Sequence, residues 1–429
     1  VRFRVAPAGS CCRNQLLDFA NELCELSGAG FFTHAPVELE PRQRLEIALK
    51  LAFEHFESLP AHQRVVNPFE AIAILGSYIA SLAAYATYIL DGALLWRIPS
   101  LMAFGPLTPS ILLMEKIVYS VREIRADRAD QGLMGLRENV AALEAPDNAG
   151  FTPAMRDSTI AHMLNGVGLL EASLGRLGAM ECADRIEAVP DHHVNAWRIR
   201  YLVHLYRPNA VEAERCWREV ESLRLQEGPR QFGEGSTVEA ELLAFARSDD
   251  MLGLARIKPQ IEERAALYPG WVPWLRVAEA ELERMRHRLD RAIELHGEAL
   301  ALTSPEDHLA WSHAAAFQLD ALVQAGRAAE AKERGRAWLA VAEQHRLYGI
   351  AGIATGLALA EAMLGEHDVA RERAAREVQK AETVNVFGLY YGVVLEAAAR
   401  VAVECNDSVA FADYYNRCHE QFGSGAYPP

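Results

Sequence analysis

Apolar residues recur along this chain at three- and four-residue spacing in stretches of roughly 12 to 20 residues, and no alternating Val, Ile or Thr run suggests a strand. The pattern predicts helices throughout. Near the C-terminal end it also repeats, in the 13-residue segments Ala280–Ala292, Leu319–Ala331, Ala358–Ala370 and Ala398–Ala410, at steps of 39, 39 and 40 residues. Weaker copies at Tyr201–Ala213 and Leu243–Ala255 are spaced 42 and 37 residues from their neighbours. A period of this length, with small and apolar residues at helical spacing, marks helix pairs that cannot bury their faces alone and must stack. The expected fold is therefore all-α, an α-solenoid of helix-turn-helix repeats.

Turn signals divide the chain. The breaks at Pro146–Pro153 and Gly228–Ser236 delimit an irregular helical block over 1–146, middle repeats over 147–235 and C-terminal repeats over 236–429, all in one continuous solenoid. Thr152 before Pro153 reads as an N-cap and first-turn proline, and Ser304-Pro305-Glu306-Asp307 as a second helix start. Trp271 and Trp274 open a helix after Tyr268-Pro269-Gly270. Gly326 and Gly365 fall where the first helix of a pair turns into the second, a place for left-handed backbone, with His287 and Cys405 in the same column of the other copies.

Composition narrows the function. With 429 residues, 51% of them apolar, the chain has ample core-forming material and exceeds a single compact domain. A net charge of −15 and the absence of Lys/Arg runs exclude a general nucleic-acid binder, which needs a basic stripe. Seven cysteines without CxxC spacing fit a reduced, cytoplasmic protein; Cys11, Cys12 and Cys24 cluster, and His34 supplies no zinc-site spacing. Ala71–Leu90 has 20 residues without a charge, long enough for a bilayer. Its small residues and its acidic neighbours Glu70 and Asp91 favour a helix buried in the solenoid, with membrane contact as the alternative. Val1 is not Met, and the end at Gly423–Pro429 is turn-forming, so a piece of a longer chain is expected.

Each copy resembles a tetratricopeptide repeat, as in Gly326-Arg327-Ala328-Ala329-Glu330-Ala331, with a small residue at the packing position of the first helix in Ala280, Ala358 and Ala398, where Leu319 departs. That resemblance implies a concave groove lined by first helices, with Trp274, Glu281, Arg284, His313, Asp320 and Gln324 facing it. In the last two copies the same positions are Gly352, Thr355, Leu359, Met363, Leu395, Ala399 and Ala402, which implies a groove partly filled there. The run Asp91–Pro99, then Tyr268–Trp271, Leu319–Ala331 and Tyr414–Arg417 is similar to the C-terminal helical-repeat region of large bacterial serine/threonine kinases that also carry a P-loop ATPase module.

The catalytic parts of such kinases have no counterpart. The chain lacks a P-loop, an HRD or DFG triplet, HExxH and GxSxG. Asp191-His192-His193 lies in a turn, His55 and His62 flank Pro60, and His308 and His313 are five residues apart, so none of these forms a metal pair. The expectation is a non-enzymatic scaffold without cofactor or metal, binding a protein or peptide or other domains of its own parent. A small-ligand or peptide sensor is the alternative, which a cavity with convergent Arg, Tyr and Trp would favour.

Overall fold

The computed structural model describes residues 129–145, 153–189, 192–227, 234–267, 269–305, 309–345, 347 and 350–422. Ala71–Leu90, the Cys11, Cys12, Cys24 and His34 group and the run Asp91–Pro99 lie outside the described residues. Among the described residues there is no strand. The helices are α1 (Ala129–Glu144), α2 (Pro153–Ser173), α3 (Gly178–Glu187), α4 (His193–Tyr206), α5 (Ala210–Glu227), α6 (Glu234–Arg247), α7 (Met251–Leu267) and α8 (Val272–Met285). They continue as α9 (Leu289–Ala301), α10 (Ala310–Gln324), α11 (Ala328–His345), α12 (Ile350–Met363), α13 (His367–Thr383), α14 (Gly388–Glu404) and α15 (Ser408–Phe422). The chain is an all-α solenoid of antiparallel helix pairs.

Two helix starts differ from the sequence reading. Gly235 and Ser236 already belong to the first turn of α6, and α10 begins at Ala310 with Leu309 before it, so Ser304 does not cap it.

The two helices of each pair have different jobs. In α10 eleven of fifteen residues are buried, whereas in α11 only Ala328, Ala331, Gly335, Leu339 and Ala342 are. A helix apolar nearly all round belongs inside, and one with a single stripe belongs at the surface. Accordingly the first helices α2, α4, α6, α8, α10, α12 and α14 each touch the next first helix, forming an inner wall with the second helices packed against it.

The pair-internal turns share one device. Asp249, His287, Gly326, Gly365 and Asn406 have φ of 53°, 58°, 73°, 82° and 53°. At each, the following N–H reaches back to close the helix end, as when Arg327 N donates to Leu322 O at 2.9 Å and Glu366 N donates to Glu361 O at 2.9 Å. In the fourth copy Asn406 takes the left-handed position, not Cys405, because α14 runs one residue further before it ends.

Leu319 is accommodated by glycines opposite it. A Cβ on Gly356 would lie 3.0 Å from Leu319 Cβ, and one on Gly335 would lie 3.4 Å from its Cδ1. The volume that Leu319 adds to α10 is thus removed from α12 and α11, so interhelical spacing is kept.

The solenoid closes on itself. Phe387 N, in the loop before α14, donates to Leu174 O at 2.9 Å. Arg176 Nε donates to Asn385 O at 3.0 Å, and its Nη2 donates to Val384 O, so one guanidinium caps the C-terminal carbonyls of α13. Around this contact α14 also touches α4 and α6, and Arg247 stacks 4.6 Å from the centre of the Tyr390 ring. Gly175 and Gly388 have φ of 69° and 61° here; a Cβ on Gly175 would overlap the Phe387 carbonyl, and one on Gly388 would overlap the Tyr206 carbonyl at the end of α4.

This closure predicts a specific weakness. Gly388→Ala together with Arg176→Ala should leave helix content unchanged by circular dichroism and raise the radius of gyration in small-angle scattering. The loss of the two charge-assisted hydrogen bonds alone should cost about 2 kcal/mol. An unchanged radius in the double variant would show that the ring is held elsewhere.

Candidate inner-wall site

Exposure rises along α10 and α12 from their N-terminal to their C-terminal ends. On α10, His313 is 2% exposed, Asp320 partly exposed and Gln324 exposed; on α12, Thr355 and Leu359 are buried and Met363 is 38% exposed. At α10 and α12 the inner wall is therefore solid at one edge and open at the other, the edge that carries the turns at Gly326 and Gly365.

Charged side chains converge on that open edge from four elements. Arg284 on α8 donates from Nη2 to Asp249 Oδ1 at 2.5 Å and to Ala246 O at 3.2 Å, tying α8 to the preceding turn. Asp320 accepts from Gln324 Nε2 at 2.6 Å and from Arg400 Nη1 at 3.2 Å, although Arg400 lies 80 residues away on α14. Arg400 Nη1 also lies 3.8 Å from Glu396 Oε1, and Glu396 is within electrostatic reach of Asp320, Asp249 and Arg284. The result is a wall of alternating carboxylates and guanidiniums with an amide among them.

Of the residues that the repeat resemblance puts in a groove, Asp320 and Gln324 lie at this open edge, and Arg284, 8% exposed, lies beneath it with its guanidinium between Glu281 and Asp249. Trp274, Glu281 and His313 are instead core residues, which corrects that expectation. Trp274 is fully buried, with its ring 5.7 Å from that of His313. Glu281 is fully buried, accepts from Arg284 Nε at 2.9 Å and has His296 Nε2 3.0 Å from its other oxygen. The physical reason is crowding: each inner helix has inner helices on both flanks and second helices behind it, which leaves only a narrow stripe open. Sequence spacing alone missed Asp249, Glu396 and Arg400. Asp249 sits in a turn, and nothing in a linear pattern pairs positions 320 and 400.

Glu281 belongs to a recurring arrangement. Glu361, fully buried on α12, accepts from Arg373 Nε at 2.9 Å, and Gln318, buried on α10, donates to Ile293 O at 2.6 Å and accepts from Arg334 Nη1 at 2.8 Å. The inner helices α8, α10 and α12 thus each carry a buried polar group satisfied by a flanking second helix, which fixes register between otherwise slippery alanine-rich faces.

Among the described residues no group of three or more His, Cys, Asp or Glu is arranged for a metal. Buried Cys182 is pushed up to about 11 by its burial, so its thiol is inert. Among the described residues no helix is long and apolar enough to cross a membrane. The convergence of Arg198, Tyr201, Trp217, Arg224 and Arg264 does occur, around a cavity of about 30 Å³ between α4, α5, α6 and α7. That is room for about two waters, far below the roughly 300 Å³ or more of a small-molecule site, so the sensor alternative is not favoured.

No protein-family model matches the chain, and no curated protein matches it in sequence. In shape it is similar to the crystal structure of a Rap protein complexed with competence and sporulation factor, at 10% identity and a TM-score of 0.50, over 84% of this chain and 98% of that one. It also overlaps a signal transduction ATPase with numerous domains, carrying a tetratricopeptide repeat sensor, from Pyrococcus horikoshii, at 10% identity and a TM-score of 0.41, over 96% of this chain and 67% of that one. The chain is a tetratricopeptide-like helical-repeat region.

His313 supplies a test of the solid edge. Burial first, and then the Arg247 charge, lowers its pKa from the ordinary 6.5 to about 3. The unfolded chain takes up a proton as pH falls through 6.5, while the folded chain does not until about 3, so this residue costs stability on acidification across that window. Between pH 7 and pH 5 the loss from His313 should be about 2 kcal/mol. His313→Gln should show a correspondingly shallower fall in urea-unfolding free energy over that interval. Equal slopes would mean that the imidazole is protonated in the fold.

Proposed function

We propose that this chain is a non-catalytic binding scaffold whose open inner edge takes a segment of a partner protein or a peptide. The observation that carries this reading is the convergence of Asp249, Arg284, Asp320, Gln324, Glu396 and Arg400 from helices far apart in sequence. Alternating donors and acceptors on a rigid wall suit the peptide groups and side chains of an extended segment, and they offer no nucleophile or proton-transfer pair for chemistry. The similar Rap protein is complexed with competence and sporulation factor, which supports looking for a bound partner in the same fold.

A photo-crosslinking residue placed at Gln324 tests this reading. It should give a discrete adduct with a partner in the native cell, and Arg400→Glu should abolish it, whereas Arg376→Glu on the outer face of α13 should not. An adduct yield insensitive to Arg400→Glu would remove the inner edge from consideration.

We further propose that the chain is the repeat region of a larger cytoplasmic signalling protein of the bacterial kinase and ATPase type, supported by the similarity of the segments Tyr268–Trp271, Leu319–Ala331 and Tyr414–Arg417 to those proteins. The partner would then include the parent's own catalytic modules. An antibody raised against this chain should detect, in the soluble fraction of the native cell, a polypeptide much larger than 47.4 kDa; a band at that mass would refute the parent.

A further inference from the structure

The outer face of α15 departs from the helices it repeats. By the step of 40 residues, Ser408, Phe411, Ala412, Tyr415, Asn416 and His419 stand where α13 has Asp368, Arg371, Glu372, Ala375, Arg376 and Gln379. On α13 those positions are all exposed and make a solvated face, with Arg371 paired to Asp368 and Arg376 to Glu372, each at 2.6 Å. On α11 the same face carries Lys332, Glu333 and Arg336. The six positions of α15 are exposed as well, yet they hold no Asp, Glu, Lys or Arg, and Phe411 and Tyr415 are 38% and 55% exposed. A charged face has become an aromatic one in the last copy.

Repeat stacking does not use this face. α13 buries Ala370, Ala374, Glu377, Val378 and Ala381, with α12 on one side and α14 on the other. Their counterparts on α15 are Ala410, Tyr414, Arg417, Cys418 and Gln421, which are half-buried with α14 alone beside them. A further helix pair stacked on α15 would complete that second column. It would leave the aromatic face open, as the equivalent face of α13 is open between two neighbours.

The geometry of the face selects its occupant. The rings of Phe411, Tyr415 and His419 follow one another at 6.0 and 6.2 Å with planes 25° and 6° apart, so they form a ridge of near-parallel rings. Beside the ridge, Ser408, Ala412 and Asn416 recur at the same four-residue step and form a furrow of short side chains. A surface that fits must offer a furrow and a ridge at the rise of four helical residues, about 6 Å. α15 itself offers both. In an antiparallel pair about a twofold axis between Asp413 and Tyr414, Phe411 meets the other copy's Asn416, Tyr415 its Ala412 and His419 its Ser408, and the same contacts recur by symmetry. Charge points the same way: copies of a chain with a net charge of −15 repel, and this face lets two approach without burying a carboxylate.

We propose that α15 is a self-association surface through which two copies of this chain pair antiparallel, the Tyr415 ring of each seated over Ala412 of the other. Two helices of 15 residues bury less than the roughly 1,200 Å² of a standard interface, so the dimer is weak and set by concentration.

Sedimentation velocity of the whole chain, taken from about 1 to about 200 μM, should shift from a species of 47.4 kDa toward one of twice that mass. Tyr415→Glu should weaken dimerisation at least about thirtyfold, because it removes a central aromatic anchor and puts an unpaired carboxylate into the contact twice. Ala412→Lys should also weaken it by filling the furrow. Thermal unfolding of both variants by circular dichroism should match the parent, since both positions are exposed in the single chain. An equimolar mixture of the two variants should regain dimer, because the new carboxylate of one then faces the new ammonium of the other. That recovery is specific to the proposed register. A monomer at every concentration would overturn the proposal, as would a dimer that Tyr415→Glu leaves intact or a mixture that regains nothing.

Discussion

The contact of the Val384–Gly388 loop with Leu174–Arg176 is the interaction on which the shape of this solenoid depends. Stacked helix pairs otherwise form an open spiral in which each pair touches only its neighbours. Here one backbone hydrogen bond, one arginine capping the end of α13 and two glycines in left-handed backbone bring residues more than two hundred positions apart into register. α14 is seated against α4 and α6, and its Arg400 also reaches Asp320 of α10.

Closure demands that every step before it be right. A solenoid accumulates small errors in repeat geometry, so a ring needs each pair to rotate by a reproducible amount. The left-handed turns at Asp249, His287, Gly326, Gly365 and Asn406 supply a constant exit angle. Buried polar groups at Glu281, Gln318 and Glu361 hold register between faces made largely of alanine, and the Leu319 and Gly356 exchange keeps spacing constant where the repeat sequence deviates. Removing a partner from one of these buried pairs leaves an unsatisfied charge, a larger cost than the pair's own net contribution.

The proposed binding role follows from the asymmetry of the inner wall. Its solid edge is built of Trp274, His313, Thr355 and Leu359 and has no surface to offer. Its open edge carries the mixed charges. A rigid, preorganised strip of this kind loses little entropy when a partner binds, which favours selective recognition over broad stickiness.

Much of the architecture was legible in the linear pattern. Helical spacing, a period near 39 residues and glycine at the turns specified stacked helix pairs, because helix and turn preferences are local and a repeat must bury its face against the next copy. The repeat resemblance also put Asp320 and Gln324 on an inner helix, and the structure leaves both at its open end. What only the tertiary structure decided was which positions on the inner helices stay open, why Trp274, Glu281 and His313 do not, and that Asp249, Glu396 and Arg400 join the wall. Those outcomes depend on flanking contacts and on ring closure between segments far apart in the chain, and the accumulated rotation that brings them together is a property of the whole stack that no local window of sequence contains.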